Sequence, residues 1–236
     1  MQTFEPFDGV LLVDKPSGPT SHDVVDAIRR HFRFKKVGHC GTLDPNATGL
    51  LVIVLGKATR LSERLMSDDK SYEGTVHFGI STGSYDKDGE VTATAEVPPL
   101  TLEQLNEHAA TFVGDIMQMP PMVSAIKKDG VPLYKLARKG IEVERKPRCI
   151  HIYNYRFDSY TAPVASFKVA CTKGTYVRTL AHDLGQKLGC GAHLATLRRT
   201  VAGKFDVRDA ITLDQILSLS LDQLQARVIP YLKAAV

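Results

Sequence analysis

Six apolar residues, Leu50 to Leu55, run without interruption between Gly49 and Gly56. The run is far too short to cross a bilayer, which takes about 20 apolar residues in a helix. Bounded by glycines and rich in branched side chains, it reads as a strand buried in a core. The chain has 236 residues, 43% of them hydrophobic, enough to build that core without a disulfide or metal staple. An ordinary soluble globular protein is expected.

Charge and cysteine usage narrow the setting. Lys plus Arg number 30 against 26 Asp plus Glu, a net +4 that suits an anionic partner without identifying one. Cys40, Cys149, Cys171 and Cys190 are scattered with no CxxC pair, and "MQTFEPFDGV" has neither a basic nor an apolar leader region. A reducing cytoplasm is the expected location, with no membrane insertion.

The chain alternates irregularly between strand and helix signals. "GVLLVDKPSG" is a short strand ending in a turn. "TSHDVVDAIRRHF" is a helix with Ser21 as its cap and Val24, Val25, Ile28 and Phe32 facing inward. "KSYEGTVHFGISTGSYDKDGEVTATAEV" alternates polar and apolar residues around a "DKDG" turn, which predicts a hairpin with exposed edge strands. Thr101 and Gln104 stand in capping-box spacing at the start of a covering helix that Gly114 stops. Residues 118–148 then carry prolines, Gly130, a helical patch "LYKLARKG" and eight Lys or Arg between Lys127 and Arg148, the composition of an inserted basic arm. Two strands, the helix "YVRTLAHDLGQKLG", a basic segment "HLATLRRTVAGKF" and a last helix from about Asp214 complete the chain. The expected class is α+β, with a mixed, mostly antiparallel central sheet and flanking helices in a single domain over residues 1–236.

Four motif look-alikes fail on spacing. "GLLVIVLGK" separates its glycines by six residues and has Ala58 where a phosphate loop needs Ser or Thr. "GCGAHL" lacks the third glycine of a dinucleotide fingerprint. "DKDGE" has two acidic positions of a calcium loop and none of the rest. Cys190, His193 and His182 have no fourth ligand, so no metal is expected.

"GHCGTLDPNATG", Gly38 to Gly49, remains. Gly38, Gly41 and Pro45 describe a shaped loop that holds Asp44 at a defined place. Read alone, Asp44 braces a tight turn. Together with "DKPSGPTSHDVV", "KSYEGTVHFG" and "CTKGTYVRTLAHDLGQKLGCGAHLATLRRTVAGKF", the loop resembles the TruB family of tRNA pseudouridine synthases over almost the whole chain. "PPMVSAIKKDGVPLYKLARKG" resembles that family's RNA-gripping insertion.

The resemblance implies isomerisation of a uridine in RNA, at position 55 in the T loop of tRNA. The N1–C1′ bond breaks, the base turns, and C5 joins C1′, with no cofactor. Asp44 is then the essential carboxylate, which attacks the sugar or removes a C2′ proton; both remain open. Tyr72 stacks on the base and Arg178 pairs with Asp44. His39 enters the RNA loop, Lys15 and Lys70 support the site or the phosphates, and Leu197 lines the base pocket. A stacked uridine must flip out to meet a carboxylate. In the arm, Lys127, Lys128, Lys135, Arg138, Lys139 and Arg145 can meet phosphates and Tyr134 offers a stacking face. The expected partner is the tRNA T arm, met by a monomer with no protein partner required. Two departures stand out. Cys40 sits where the family often has Thr or another small residue, and typical bacterial members continue into a small C-terminal RNA-binding domain beyond the point where this sequence stops. The alternatives are a guide-RNA-dependent synthase and a non-catalytic tRNA-folding chaperone.

Overall fold

The computed structural model describes residues 5–124, 126–128, 130–137 and 139–235. The chain divides into two compact units, one of Met1–Tyr72 with Leu197–Val236 and one of Glu73–Thr196.

The first unit opens with β1 (Gly9–Lys15), α1 (Ser21–His31), β2 (Val37–His39), β3 (Thr48–Leu55) and α2 (Ser62–Met66), and takes in the first residues of β4 (Lys70–Phe78). The apolar run is β3, and its alternation explains why no polar residue interrupts it. Leu51, Ile53 and Leu55 join Val24, Val25 and Ile28 of α1 in one core cluster, while Leu50, Val52 and Val54 join Ala58, Leu61 and Leu65 in another. Each such side chain contributes roughly 1.5–3 kcal/mol by leaving water. β1 lies antiparallel along one edge of β3, with Val13 opposite Leu51. The other edge is shared between β2, where His39 meets Ile53, and a later strand.

The second unit takes the remainder of β4, then β5 (Ile80–Thr82), β6 (Val91–Thr94), α3 (Leu102–Ala110), β7 (Gly114–Gln118), β8 (Lys127–Lys128), β9 (Val131–Pro132), α4 (Leu133–Ala137), β10 (Arg148–Thr161), β11 (Val164–Cys171), α5 (Val177–Lys187) and the start of β12 (Ala192–Ala202). Its strand order is β4-β11-β10-β7, over an aromatic core that includes Phe78, Tyr155, Phe157 and Phe167. The Thr101–Gln104 capping box is present as read, and α3 is anchored through Asn106, whose side chain meets both the Phe157 N–H and carbonyl. The hairpin is β5 with β6 around residues 83–90. Gly79, at φ 84°, separates it from β4.

The first unit closes with the rest of β12, β13 (Phe205–Asp206), β14 (Ile211–Thr212), α6 (Leu213–Leu217), α7 (Leu221–Arg227), β15 (Ile229–Pro230) and α8 (Tyr231–Ala234). The α+β class and the mixed, mostly antiparallel sheet stand: β1/β3, β2/β3, β7/β10 and β10/β11 are antiparallel, β3/β12 and β1/β14 parallel.

Three local expectations need correction. The cap of α1 is Thr20: its hydroxyl accepts from Asp23 N–H at 3.1 Å, and the Asp23 carboxylate accepts from Thr20 N–H at 2.8 Å. "HLATLRRTVAGKF" forms most of the strand β12, with Arg199 turned into the interior. The single last helix is three short ones, because Ser220 and Gln223 form a fresh capping box and Pro230 then breaks the chain. Among the described residues no helix is long and apolar enough to cross a membrane, and no group of three or more His, Cys, Asp or Glu is placed to hold a metal ion.

Candidate active site

In the first unit, the loop between β2 and β3 carries Asp44, half-buried, with its carbonyl accepting from Ala47 N–H at 3.0 Å to close a tight turn. Side chains from β1, α1 and β12 reach the backbone of this loop, and the Pro45 carbonyl also accepts from Gly18 N–H at 2.9 Å. Lys15, fully buried at the end of β1, donates to the carbonyls of Pro45 and Ala47, both at 2.8 Å, and of Pro16 at 2.9 Å. Burial pushes its ammonium down to about 8, opposed by the negative charges of Asp44 and Asp23. Ser21, one residue inside α1, accepts from Leu43 N–H at 2.8 Å and donates to the Leu43 carbonyl at 3.1 Å. Arg199 is 1% exposed, and its guanidinium donates to the carbonyls of Leu50 at 2.7 Å and Gly41 at 3.1 Å. Gly49 lies against the same arginine: at φ 96°, a Cβ there would come within 2.3 Å of the Arg199 carbonyl oxygen. Two buried cations and one hydroxyl thus fix the segment on both sides of Asp44, with six hydrogen bonds among them.

Around this loop, Tyr72 and Leu197 are half-buried and pack on the cluster containing Leu43 and Ala47, the two apolar residues flanking the turn. The Leu197 carbonyl accepts from the Thr48 hydroxyl at 3.4 Å, and the Ser71 carbonyl accepts from Thr200 at 3.2 Å, which ties the start of β4 to β12. His39 ends β2. Its imidazole is held below its ordinary pKa by burial and by the charges of Arg199 and His22, and its Nδ1 is buried without a hydrogen-bond partner. Lys70 is buried, with its ammonium on the carbonyls of Met66, at 2.7 Å, and Asp68. Of the two roles expected for Lys15 and Lys70, burial against backbone carbonyls suits bracing the site and not meeting phosphate. Cys40 behaves as a small apolar residue: burial pushes its thiol up to about 11. Nearby, Arg198 forks onto Asp14 at 2.9 and 2.7 Å on the wall of a cavity of about 290 Å³.

In the second unit, Arg178 sits in the first turn of α5 with 5% exposure. A cation at a helix N-terminus is electrostatically unfavourable, so a carboxylate is needed beside it. Asp86 supplies one, its Oδ2 3.3 Å from Arg178 Nη1. Asp86 Oδ1 accepts from the Ser84 hydroxyl and from Asp88 N–H at 3.1 Å. The start of the helix is held by Gln118 at the end of β7, whose amide bonds both the N–H and the carbonyl of Tyr176, at 2.8 and 3.1 Å. On the same helix Asp183 is pushed up to about 6 by burial.

The arm is lightly built. Lys127 pairs with Pro132 and Lys128 with Val131 through the backbone; the side chains of both lysines, and Arg138 altogether, lie outside the described residues. Tyr134 is half-buried and Lys139 exposed. Arg145 is folded back, donating to the Pro120 carbonyl at 3.1 Å and pairing with Glu142 at 3.3 Å.

Sequence reading missed Ser21, Asp86 and Arg199. In the sequence Ser21 reads as a cap and Asp86 as a turn residue. The signal for Arg199 lay in Gly41 and Gly49, two positions where a side chain would crowd Arg199.

Comparison with known proteins places these residues in context. Residues 29–177 match the TruB family pseudouridylate synthase (N terminal domain), and residues 178–235 match the tRNA pseudouridylate synthase B C-terminal domain. A tRNA pseudouridine synthase B of Opitutus terrae is 55% identical over 235 residues, 100% of this chain and 98% of that protein. One of Syntrophotalea carbinolica is 51% identical over 89% of this chain and 68% of its own length, and one of Bordetella avium 45% identical over 96% and 97%. Among solved structures, a Cbf5-Nop10-Gar1 complex contains a chain with TM-score 0.77 and 29% identity, matched over 97% of this chain and 62% of its own length.

Proposed function

The chain belongs to the TruB family of pseudouridylate synthases, and from that premise we propose that it isomerises the uridine at position 55 in the T loop of tRNA. Pseudouridine formation in tRNA is the activity named for its relatives across their full length. The observation that carries the reading to particular atoms is the Asp44 turn, a half-buried carboxylate on a loop fixed by Lys15, Ser21 and Arg199.

A base inside a folded RNA loop must leave the stack to reach such a carboxylate. Cleavage of N1–C1′ develops positive charge at the sugar, which Asp44 relieves by attack at C1′ or by taking the C2′ proton. Both routes need an ionised carboxylate at a set position. Uridine and pseudouridine are isomers, so nothing is consumed: C5 gives up its proton as it bonds C1′, and N1 regains one. Tyr72 lies beneath the flipped base, and its hydroxyl assists removal of the C5 proton. Leu197 borders the base. Pairing of Arg178 with Asp44, which would keep that carboxylate ionised, belongs to the proposal on the strength of the family resemblance alone; the buried Arg178 guanidinium itself pairs with Asp86. His39, a neutral flat ring at the end of β2, inserts among the loop bases. The arm, with Tyr134, Lys139 and its other cations, grips phosphates. The enzyme works as a monomer in the cytoplasm without a protein partner.

Guide-RNA-dependent synthesis is the second reading, favoured by the likeness to the Cbf5-containing complex; the 29% identity there against 55% to a tRNA pseudouridine synthase B favours tRNA acting alone. A folding chaperone has no use for a braced carboxylate. The test is an unmodified tRNA transcript carrying tritium at uridine C5, incubated with the purified chain and no other RNA. Tritium release matching one uridine per tRNA is expected. No release, or release only after a guide RNA is added, would overturn the reading.

A further inference from the structure

The turn that carries Asp86 is docked on α5 by a second contact that the chemistry above does not use. Tyr85 adopts φ 67°, a left-handed conformation that a bulky side chain avoids. The backbone holds it there: Tyr85 N–H donates to the Thr82 carbonyl at 3.2 Å, and the Tyr85 carbonyl accepts from Leu194 N–H at 2.9 Å. The consequence is that its ring lies flat on His182, with centroids 3.8 Å apart and planes 17° from parallel. His182 is four residues after Arg178, hence one turn along the same face of α5. Adjacent residues of the turn, Tyr85 and Asp86, therefore meet adjacent positions on one helix face, one by stacking and the other by an ion pair.

We propose that the Tyr85–His182 stack is a positioning device, which fixes the 83–90 turn on α5 so that the Asp86 carboxylate stays aligned with Arg178. His182 Nδ1 is buried with no hydrogen-bond partner, so the ring is placed for its face and not for its nitrogen. Burial also holds the imidazole below its ordinary pKa, and the neutral ring adds no second cation beside Arg178. The proposal rests on the reading above only where it makes Arg178 serve catalysis.

The test compares His182→Ala, His182→Gln and His182→Phe with Asp86→Asn and the Asp86→Asn/His182→Ala double variant, in the full chain on an unmodified tRNA transcript. His182→Ala and His182→Gln should slow single-turnover conversion about tenfold while tRNA affinity stays within about twofold, the pattern of a misplaced catalytic group. His182→Phe, which keeps a flat face, should recover to within about threefold of wild type. The double variant should be no slower than Asp86→Asn alone, because the ring acts through that carboxylate. Arg178 guanidinium NMR supplies a readout independent of turnover: restricted rotation about its C–N bonds in wild type and His182→Phe, averaged in His182→Ala or His182→Gln. A wild-type chain that converts no tRNA uridine would sink the functional reading and leave this spectrum to decide the stack. Phe as slow as Ala, losses that multiply in the double variant, or an unchanged Arg178 spectrum in His182→Ala would each overturn the proposal.

Discussion

The loop around Asp44 and the basic arm at 118–148 are both irregular chain, yet they are held in opposite ways. Buried side chains from β1, α1 and β12 fix the loop, and Lys15 alone makes two of the bonds. Among its described residues the arm has two two-residue strands and the five-residue α4, with exposed Lys139. Under the proposed function that contrast has a physical reason. A carboxylate that meets a reacting carbon must be placed to a fraction of an ångström, whereas attraction between cations and a phosphate backbone survives movement. Rigidity is concentrated where geometry enters the rate.

The largest effect that would break this comparison is at Asp44. Asp44→Asn is nearly isosteric, so the loop keeps its shape; single-turnover conversion should fall by at least about 10³ with tRNA affinity within a few-fold. Thiol chemistry reads the rigidity directly. Cys40 lies at the start of the loop with its thiol pushed up to about 11, while Cys149, just past the arm, is exposed. At pH 8 a disulfide reagent should modify Cys149 at least several hundredfold faster than Cys40, and Cys40 should gain about tenfold per pH unit up to 11. Comparable rates at pH 8 would mean that the loop opens freely.

Arg178→Lys keeps the charge and loses the fork, and should slow conversion about 10²-fold in a normally folded protein. Lys15→Met leaves the carbonyls of Pro16, Pro45 and Ala47 without their buried donor; a loss of about 2–4 kcal/mol in denaturant titration is expected, with conversion slowed about tenfold. Unchanged stability would show that water replaces the ammonium there. Smallest is the arm: Lys135→Ala with Lys139→Ala should weaken tRNA binding roughly three- to tenfold and lower the slope of log affinity against log salt by about 1–2. A loss independent of salt would argue for shaped contact in the arm.

Much of the scaffold was legible because its signals are local. The run at Leu50–Leu55 could only be an interior strand, and Thr101 with Gln104 announced α3. Ser21 was misjudged because Thr20 and Ser21 are both good caps, and the register was decided by Asp23 three residues after Thr20. β12 was hidden by Arg198 and Arg199, whose charges suggest surface until Asp14 and two carbonyls are found to receive them. Asp44 was legible from its glycine- and proline-shaped loop and a family resemblance together. Asp86 was not, since its partner Arg178 lies 92 residues away and the turn around it accounts for the same letters.

Whether this chain, alone, turns one T-loop uridine of tRNA into pseudouridine can be read at single-nucleotide level. Nucleotide-resolved mapping of pseudouridine in an unmodified transcript after treatment with the purified chain tests it most directly. Complete modification at position 55 and at no other uridine is expected, and none with Asp44→Asn. Pseudouridine elsewhere, none at all, or the same product from Asp44→Asn at more than about a tenth of the normal rate, against the thousandfold loss expected, would contradict it.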